Sequence, residues 1–203
     1  MGLMQKLRSL FGSREHAECD EKTFDVAQLH QWMIENRHRQ EKYLTMENSK
    51  LGELPENELL QAVQFRAEHR VDACGLEDAE QLAGFLQLPA SQQIVYALYQ
   101  FENEMQNGGL CQFFVNSSRM VAPYVSQSLN AVGAEEHQQL FDDFISEHEI
   151  DLDDLSSFVS EDEEAFEAQY DRYPFEEFDE AFCALESLEH YMIDYLKVHM
   201  DEV

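Results

Sequence analysis

The stretch that decides the fold is residues 102–116, ENEMQNGGLCQFFVN. The Asn-Gly-Gly at 107–109 should end one helix, because asparagine suits a helix C-terminus and glycine takes positive φ at little cost. The helical pattern resumes at Leu110, which predicts a second helix directly after the turn. Gln112 and Asn116 are four residues apart and share a face of that helix, where they would bond turn carbonyls or each other.

The same helical spacing of apolar residues recurs along most of the chain. It predicts helices at about 23–45, 55–73, 77–88, 92–106, 110–116, 123–132, 134–147 and 176–199. Ser91 is expected to cap the fourth of these helices, and 176–199 is expected to be one long helix. A capping box is also predicted at Ser160–Glu163. The predicted fold class is all-α, a compact multi-helix bundle with an N-terminal helical extension.

Eight residues around the central turn form a fairly specific pattern: Glu102, Asn107, Gly108, Gly109, Gln112, Phe113, Phe114 and Asn116. This pattern resembles the DNA-mimic protein family typified by the nineteen-kilodalton bacterial DNA mimic, a family of mostly uncharacterised domains. The resemblance extends to Val132-Gly133-Ala134 and to FDEAF at 178–182, and covers roughly residues 91–200.

This resemblance implies an all-helical domain, often dimeric and without catalytic activity. In the typifying member, carboxylates imitate DNA phosphates and engage a DNA-binding transcriptional regulator. The residues before Ser91 lie outside the resemblance. A shared fold does not carry a shared role, so the function needs support from the surface of this chain.

Negative charge is concentrated in the later part of the sequence. Through Arg70, twelve Asp and Glu residues stand against ten Lys and Arg, whereas from Val71 onward thirty stand against only Arg119, Arg172 and Lys197. A folded domain with that charge repels itself, so its surface needs a basic partner, bound cations or a solubility demand. Salt adaptation fits poorly, because ten basic residues lie in the first seventy.

The densest acidic segment is 135–180, with nineteen acidic residues and Arg172 as its one basic residue. Carboxylates one helical turn apart are separated by about 5–6 Å, comparable with neighbouring phosphates on a strand. A basic groove that binds phosphates would attract such an array; the alternative is an ordinary solvated acidic face. The candidate phosphate-mimic carboxylates are Asp142, Asp143, Glu147, Glu149, Asp151, Asp153, Asp154, Glu161, Asp162, Glu163 and Glu164.

The N-terminal segment differs in charge and holds the single tryptophan, Trp32. We therefore predict a basic or mixed-charge arm or helix over 1–51 and an acidic all-helical domain over 52–203. The alternative is one core that includes everything after Thr23. No apolar run is long enough to span a membrane, and the basic start lacks a cleavage site, which favours a cytoplasmic location without membrane binding.

Metal and catalytic patterns are weak. The four cysteines form no C-x-x-C pair, and Cys74, Cys111 and Cys183 are expected to be buried free thiols. The acidic run that starts at Asp151 lacks the central glycine of a calcium loop. There is no His-Glu-x-x-His pattern and no nucleophile elbow. We predict no metal, no cofactor and no catalytic residue.

Three functional hypotheses remain. The first is a DNA mimic that occupies the nucleic-acid site of a basic DNA-binding protein such as a transcriptional regulator, without binding nucleic acid itself. The second is an acidic immunity or antitoxin-like protein that neutralises a basic toxin or nuclease. The third is a metal-dependent hydrolase in a helical bundle, for which no ligand spacing is present. A homodimer is compatible with the first two.

Overall fold

A computed structural model describes residues 26–75, 77–159 and 170–200, and these ranges contain no strand. The α-helices are Val26–Thr45 (α1), Glu56–Asp72 (α2), Asp78–Phe85 (α3), Ala90–Asn107 (α4), Gly109–Val115 (α5), Ala122–Val132 (α6), Glu135–Glu147 (α7), Phe175–Cys183 (α8) and Leu188–Val198 (α9). Short 3₁₀ helices lie at Asn48–Glu53, Ser117–Val121 and Ser156–Phe158. The all-α prediction is confirmed.

The chain forms two compact units, Met1–Lys42 and Tyr43–Val203. In the larger unit, Tyr43 and Leu51 are fully buried in the core, so residues 43–51 pack with that unit. Arg66 holds this entry segment, because its guanidinium donates to the carbonyl oxygen of Tyr43 at 2.8 Å. A separate role for residues 1–51 stays a prediction.

Aromatic side chains form the core of the larger unit. The Phe101 ring lies edge-on to three others, with centroid distances of 5.1 Å to Phe113, 5.4 Å to Phe141 and 5.4 Å to Phe182. Such pairs contribute about 0.5–1.5 kcal/mol each beyond the burial of apolar area. Phe113 and Phe114 are both fully buried, which places the start of α5 in the core as the sequence predicts.

Glycine and proline set several helix ends. Gly133 has φ 79° just after α6, as expected for a left-handed C-terminal residue. Pro55 and Pro89 directly precede α2 and α4. The prediction that Ser91 caps α4 is wrong: the helix begins at Ala90, and Ser91 is a fully buried residue of its first turn. Pro89, with φ −53° and ψ 150°, occupies the N-cap position just before the helix, where a residue without a backbone N–H removes no helical hydrogen bond.

The prediction of one long C-terminal helix is also wrong, because the chain breaks between α8 and α9. Ser187 begins α9, and its Oγ accepts a hydrogen bond from the backbone N–H of Glu189 at 3.2 Å. The apolar spacing continues across the break, with Leu185 half-buried between the two helices. Periodicity alone therefore could not reveal it.

Two further sequence expectations have clear outcomes. Cys111 is buried, whereas Cys74 and Cys183 are exposed. The prediction that all three thiols are buried is therefore wrong for Cys74 and Cys183. Among the described helices, none combines the length and the apolar character needed to cross a bilayer. The capping box predicted at Ser160–Glu163 lies outside the described residues.

Candidate functional site

The candidate site is a set of carboxylates on α7 and on the segment that follows it. We call it the acidic surface. Its described members are the seven sequence-predicted residues Asp142, Asp143, Glu147, Glu149, Asp151, Asp153 and Asp154. All are exposed except Asp142, which is half-buried. The other four predicted residues, Glu161, Asp162, Glu163 and Glu164, lie outside the described ranges.

Helix α7 presents these carboxylates because its apolar residues lie on the other face. Phe141 is fully buried and Phe144 nearly so, which turns Asp143 and Glu147 outward on neighbouring turns of the helix. At α7's first turn, Glu135 adds a further exposed acidic group. Acidic groups are favoured at a helix N-terminus and disfavoured at its C-terminus, so Glu147 is held against the helix dipole.

Neutral donors orient several carboxylates of the acidic surface. The Ser126 hydroxyl donates to Asp142 Oδ2 at 3.0 Å, and the Gln139 amide donates to Asp143 Oδ1 at 2.6 Å. Hydrogen bonds from the Ser156 hydroxyl and backbone N–H hold the pKa of Asp154 below its usual range. Each of these hydrogen bonds orients a carboxylate and leaves its negative charge in place.

The described basic residues after Val71 bind elsewhere and do not pair with the acidic surface. Arg119 forms an ion pair with Asp78, and Lys197 Nζ lies 2.7 Å from a carboxylate oxygen of Glu56. The guanidinium of Arg172 lies over the ring of Tyr173, 5.3 Å from its centroid. Within the described ranges, none of the seven carboxylates takes part in an ion pair.

A second acidic helix packs against α7. The Phe144 ring lies 5.1 Å from that of Phe178 and 5.6 Å from that of Phe175, both on α8. Helix α8 carries three exposed acidic residues of its own, Glu176, Glu177 and Glu180. Because aromatic contacts fix the two helices together, their carboxylates are held on a rigid support.

The residues around the Asn-Gly-Gly turn have a different role: they join helices. The carboxylate of Glu104 on α4 accepts from Gln112 Nε2 at 2.6 Å, Asn116 Nδ2 at 2.9 Å and Ser118 Oγ at 2.8 Å. Gln112 and Asn116 therefore bond one shared carboxylate rather than turn carbonyls or each other. In the sequence, the only signal for this role of Glu104 is that it is the nearest acidic residue before the turn.

Asp179 completes the same arrangement from α8. Its Oδ1 accepts from the backbone N–H of Leu110 at 2.9 Å, which satisfies a donor at the start of α5. A Cβ on Gly109 would clash with this carboxylate. Gly109 also has φ 81°, so both the close contact and the backbone conformation require glycine. The contact joins residues 69 positions apart, and the only signal for it in the sequence is a carboxylate between Phe178 and Phe182.

Glu102 is the buried member of this group of carboxylates. It is 7% exposed, and its Oε1 accepts from the Ser187 hydroxyl and the Leu188 N–H, both at 2.8 Å. Burial raises the pKa of Glu102, while these two hydrogen bonds offset part of that rise. Glu102, Glu104 and Asp179 thus tie α4, α5, α8 and α9 together. They support the acidic surface and are not part of it.

Comparison with known proteins gives one match. A family model described as DMP19-like protein matches residues 86–199, a range that includes the three helix-joining carboxylates and the acidic surface. No curated protein and no solved structure gives a significant match.

Proposed function

Because the chain belongs to the DMP19-like protein family, we propose that it is a DNA mimic. In this proposal it is a binding protein without catalytic activity. Its acidic surface occupies the nucleic-acid site of a basic DNA-binding protein, such as a transcriptional regulator. The carboxylates take the places of phosphates against the lysine and arginine side chains of that partner.

One observation supports this proposal most directly: the seven carboxylates reach solvent, and none of them pairs with a basic residue that the structure describes. An ordinary acidic face in a chain with thirteen basic residues would be expected to recruit some of them. Of the three basic residues after Val71, Arg119 pairs with Asp78, Lys197 pairs with Glu56, and the guanidinium of Arg172 lies over the ring of Tyr173. The charge is therefore available to a cationic partner.

The rigidity of the support favours the same function. DNA phosphates are fixed along a stiff duplex, so a mimic gains affinity if its carboxylates need little ordering on binding. The Ser126 and Gln139 hydrogen bonds to Asp142 and Asp143 supply such ordering before a partner arrives. Binding between two dense charge arrays should also weaken steeply as salt screens them.

A capture experiment tests the proposal. The immobilised protein is exposed to lysate and eluted with a salt gradient, and the eluted proteins are identified. Changing Asp142, Asp143, Asp153 and Asp154 together to lysine should abolish capture while the far-ultraviolet circular dichroism stays helical. The matched control reverses four exposed acidic residues elsewhere: Glu35, Glu47, Glu53 and Asp194.

The two variants change the net charge equally, so a difference between them cannot come from net charge alone. Capture of a DNA-binding regulator by the wild type and the control, but not by the test variant, supports the mimic. Equal capture by both variants would remove the acidic surface from the proposal. Capture of a toxin or nuclease instead would favour the immunity-protein hypothesis.

A further inference from the structure

Tyr173 places an aromatic ring directly beside the carboxylates of the acidic surface. The centroid of this ring lies 5.7 Å from that of His148 and 5.6 Å from that of Phe158. His148 directly follows Glu147, and Phe158 comes four residues after Asp154. The segment that carries the later carboxylates of the acidic surface therefore begins and ends at contacts with this one ring.

The aromatic core holds the Tyr173 ring in place. Its centroid lies 5.5 Å from that of Phe175, which is almost fully buried, as is Phe158. Tyr173 itself is half-buried, so part of the residue reaches solvent while the core fixes the ring. A ring that is already ordered loses little conformational freedom when a partner binds to it.

Arg172 shows that this ring accepts a cation. The guanidinium carbon of Arg172 lies 5.3 Å from the centroid of the Tyr173 ring, within the range of about 6 Å over which a ring attracts a cation. Arg172 is exposed and is the one basic residue in 135–180. In the free protein, its guanidinium occupies the place over the ring that the cation of a partner would take.

The chemistry of such a contact favours arginine over lysine. A cation–π contact is weak while it is exposed to water, and it becomes stronger when a binding partner excludes that water. The flat guanidinium stacks on an aromatic face and is less strongly hydrated than an ammonium group. Carboxylates by themselves attract any polycation, so a ring beside them adds a preference for arginine.

We propose that Tyr173 makes the acidic surface selective for arginine, and that an arginine of the partner displaces Arg172 from the ring. This inference rests on the proposed function for the identity of the partner. Arg172 is then a weak internal competitor for the ring in the free protein. Tyrosine and arginine are both enriched among the residues that dominate binding at protein interfaces, so this contact helps to decide which basic protein is bound.

The test uses two fluorescent peptides of equal charge, hexa-arginine and hexa-lysine, so it does not depend on any partner. Each is titrated with the full-length protein at fixed salt, and binding is followed by fluorescence anisotropy. The readout is the ratio of the two dissociation constants, because general attraction to carboxylates strengthens the binding of both peptides. The wild type should bind hexa-arginine about tenfold more tightly than hexa-lysine; equal affinities would overturn the proposal.

Variants of Tyr173 separate the ring from the charge. Tyr173→Leu removes the ring and should lower the preference for hexa-arginine about fivefold, whereas Tyr173→Phe keeps a ring and should change it less than about twofold. Tyr99→Leu, at a half-buried tyrosine on α4, should leave the preference unchanged. If Tyr173→Leu also loosens the surface, both peptides weaken alike and the ratio still reports the ring. An unchanged ratio in Tyr173→Leu, or an equal loss in Tyr173→Phe, would contradict the proposal.

The displacement of Arg172 has its own test. Arg172→Gln removes the competitor and should raise the preference for hexa-arginine about twofold. Arg70→Gln makes the same change in net charge on α2 and should strengthen the binding of both peptides alike. No rise in Arg172→Gln, or an equal rise in both variants, would contradict the displacement. If the capture experiment fails while these ratios change as expected, the surface selects arginine but the proposed class of partner is wrong, so the two proposals fail separately.

Discussion

The carboxylate of Glu102 lies 2.8 Å from the backbone nitrogen of Leu188, a residue 86 positions later in the chain. The same oxygen accepts the hydroxyl of Ser187. Residue Glu102 therefore provides from α4 the acceptor that the first turn of α9 requires. This contact explains why α9 begins as a separate helix and why a carboxylate is tolerated in the core.

Removing this acceptor should destabilise the fold. Glu102→Ala leaves the Leu188 N–H and the Ser187 hydroxyl without their partner, and we expect a loss of about 2–3 kcal/mol in the free energy of unfolding. Glu102→Gln keeps an acceptor oxygen and removes a buried charge, so it should stay within about 1 kcal/mol of the wild type. Urea unfolding measures both, and equal losses in the two variants would show that the charge itself is needed.

Two glycines with nearly the same positive φ offer a matched pair. Gly109 has φ 81° and Gly133 has φ 79°, but only at Gly109 would a Cβ clash, with the carboxylate of Asp179. Gly133→Ala should cost about 1–2 kcal/mol, the penalty of a left-handed alanine. Gly109→Ala should cost clearly more, because the hydrogen bond from Leu110 to Asp179 is also lost. Thermal unfolding compares them; equal costs would mean that α8 moves aside freely.

Local signals made most of the fold predictable from sequence. Gly133 and Pro55 act on their immediate neighbours, so their effects on helix ends are visible in a short window. The break before Ser187 and the pairing of Gln112 with Glu104 depend on residues brought together by folding. Such contacts have no fixed spacing in the sequence. Exposure of the carboxylates followed from the amphipathic pattern of α7.

A buried histidine should make stability depend on pH. His137 is 2% exposed, and neither ring nitrogen forms a hydrogen bond of good geometry with a described residue. Burial lowers the pKa of His137, and the nearby backbone of Glu186 offsets only part of this. Between the lowered folded pKa and the unfolded value of about 6.5, the unfolded chain binds more protons than the folded one. Stability should therefore fall as pH drops below about 6.5.

The measurement is urea unfolding at about pH 7.5 and about pH 5.5. A single proton contributes at most about 1.4 kcal/mol per pH unit, and this contribution should vanish in His137→Leu. His69→Gln changes an exposed histidine and should keep the wild-type dependence. If His137→Leu loses as much stability on acidification as the wild type does, then other groups carry the effect.

The acidic surface itself should lower the stability of the protein. Glu147 lies in the last turn of α7 and Glu149 follows it, so both oppose the helix dipole and repel the neighbouring carboxylates. We expect Glu147→Gln with Glu149→Gln to raise the free energy of unfolding by about 0.5–1 kcal/mol at low salt, and by less when salt screens the charges.

The control makes the same change in net charge at the other end of α7. Glu135→Gln with Glu136→Gln also removes two carboxylates from the helix, but these interact favourably with its N-terminus. Losing this favourable interaction offsets the relief of repulsion between carboxylates, so we expect no gain in the free energy of unfolding. If both double variants were equally stabilised, net charge alone would explain the effect. If only Glu147→Gln with Glu149→Gln gains stability and also loses partner capture, the same carboxylates weaken the fold and serve binding.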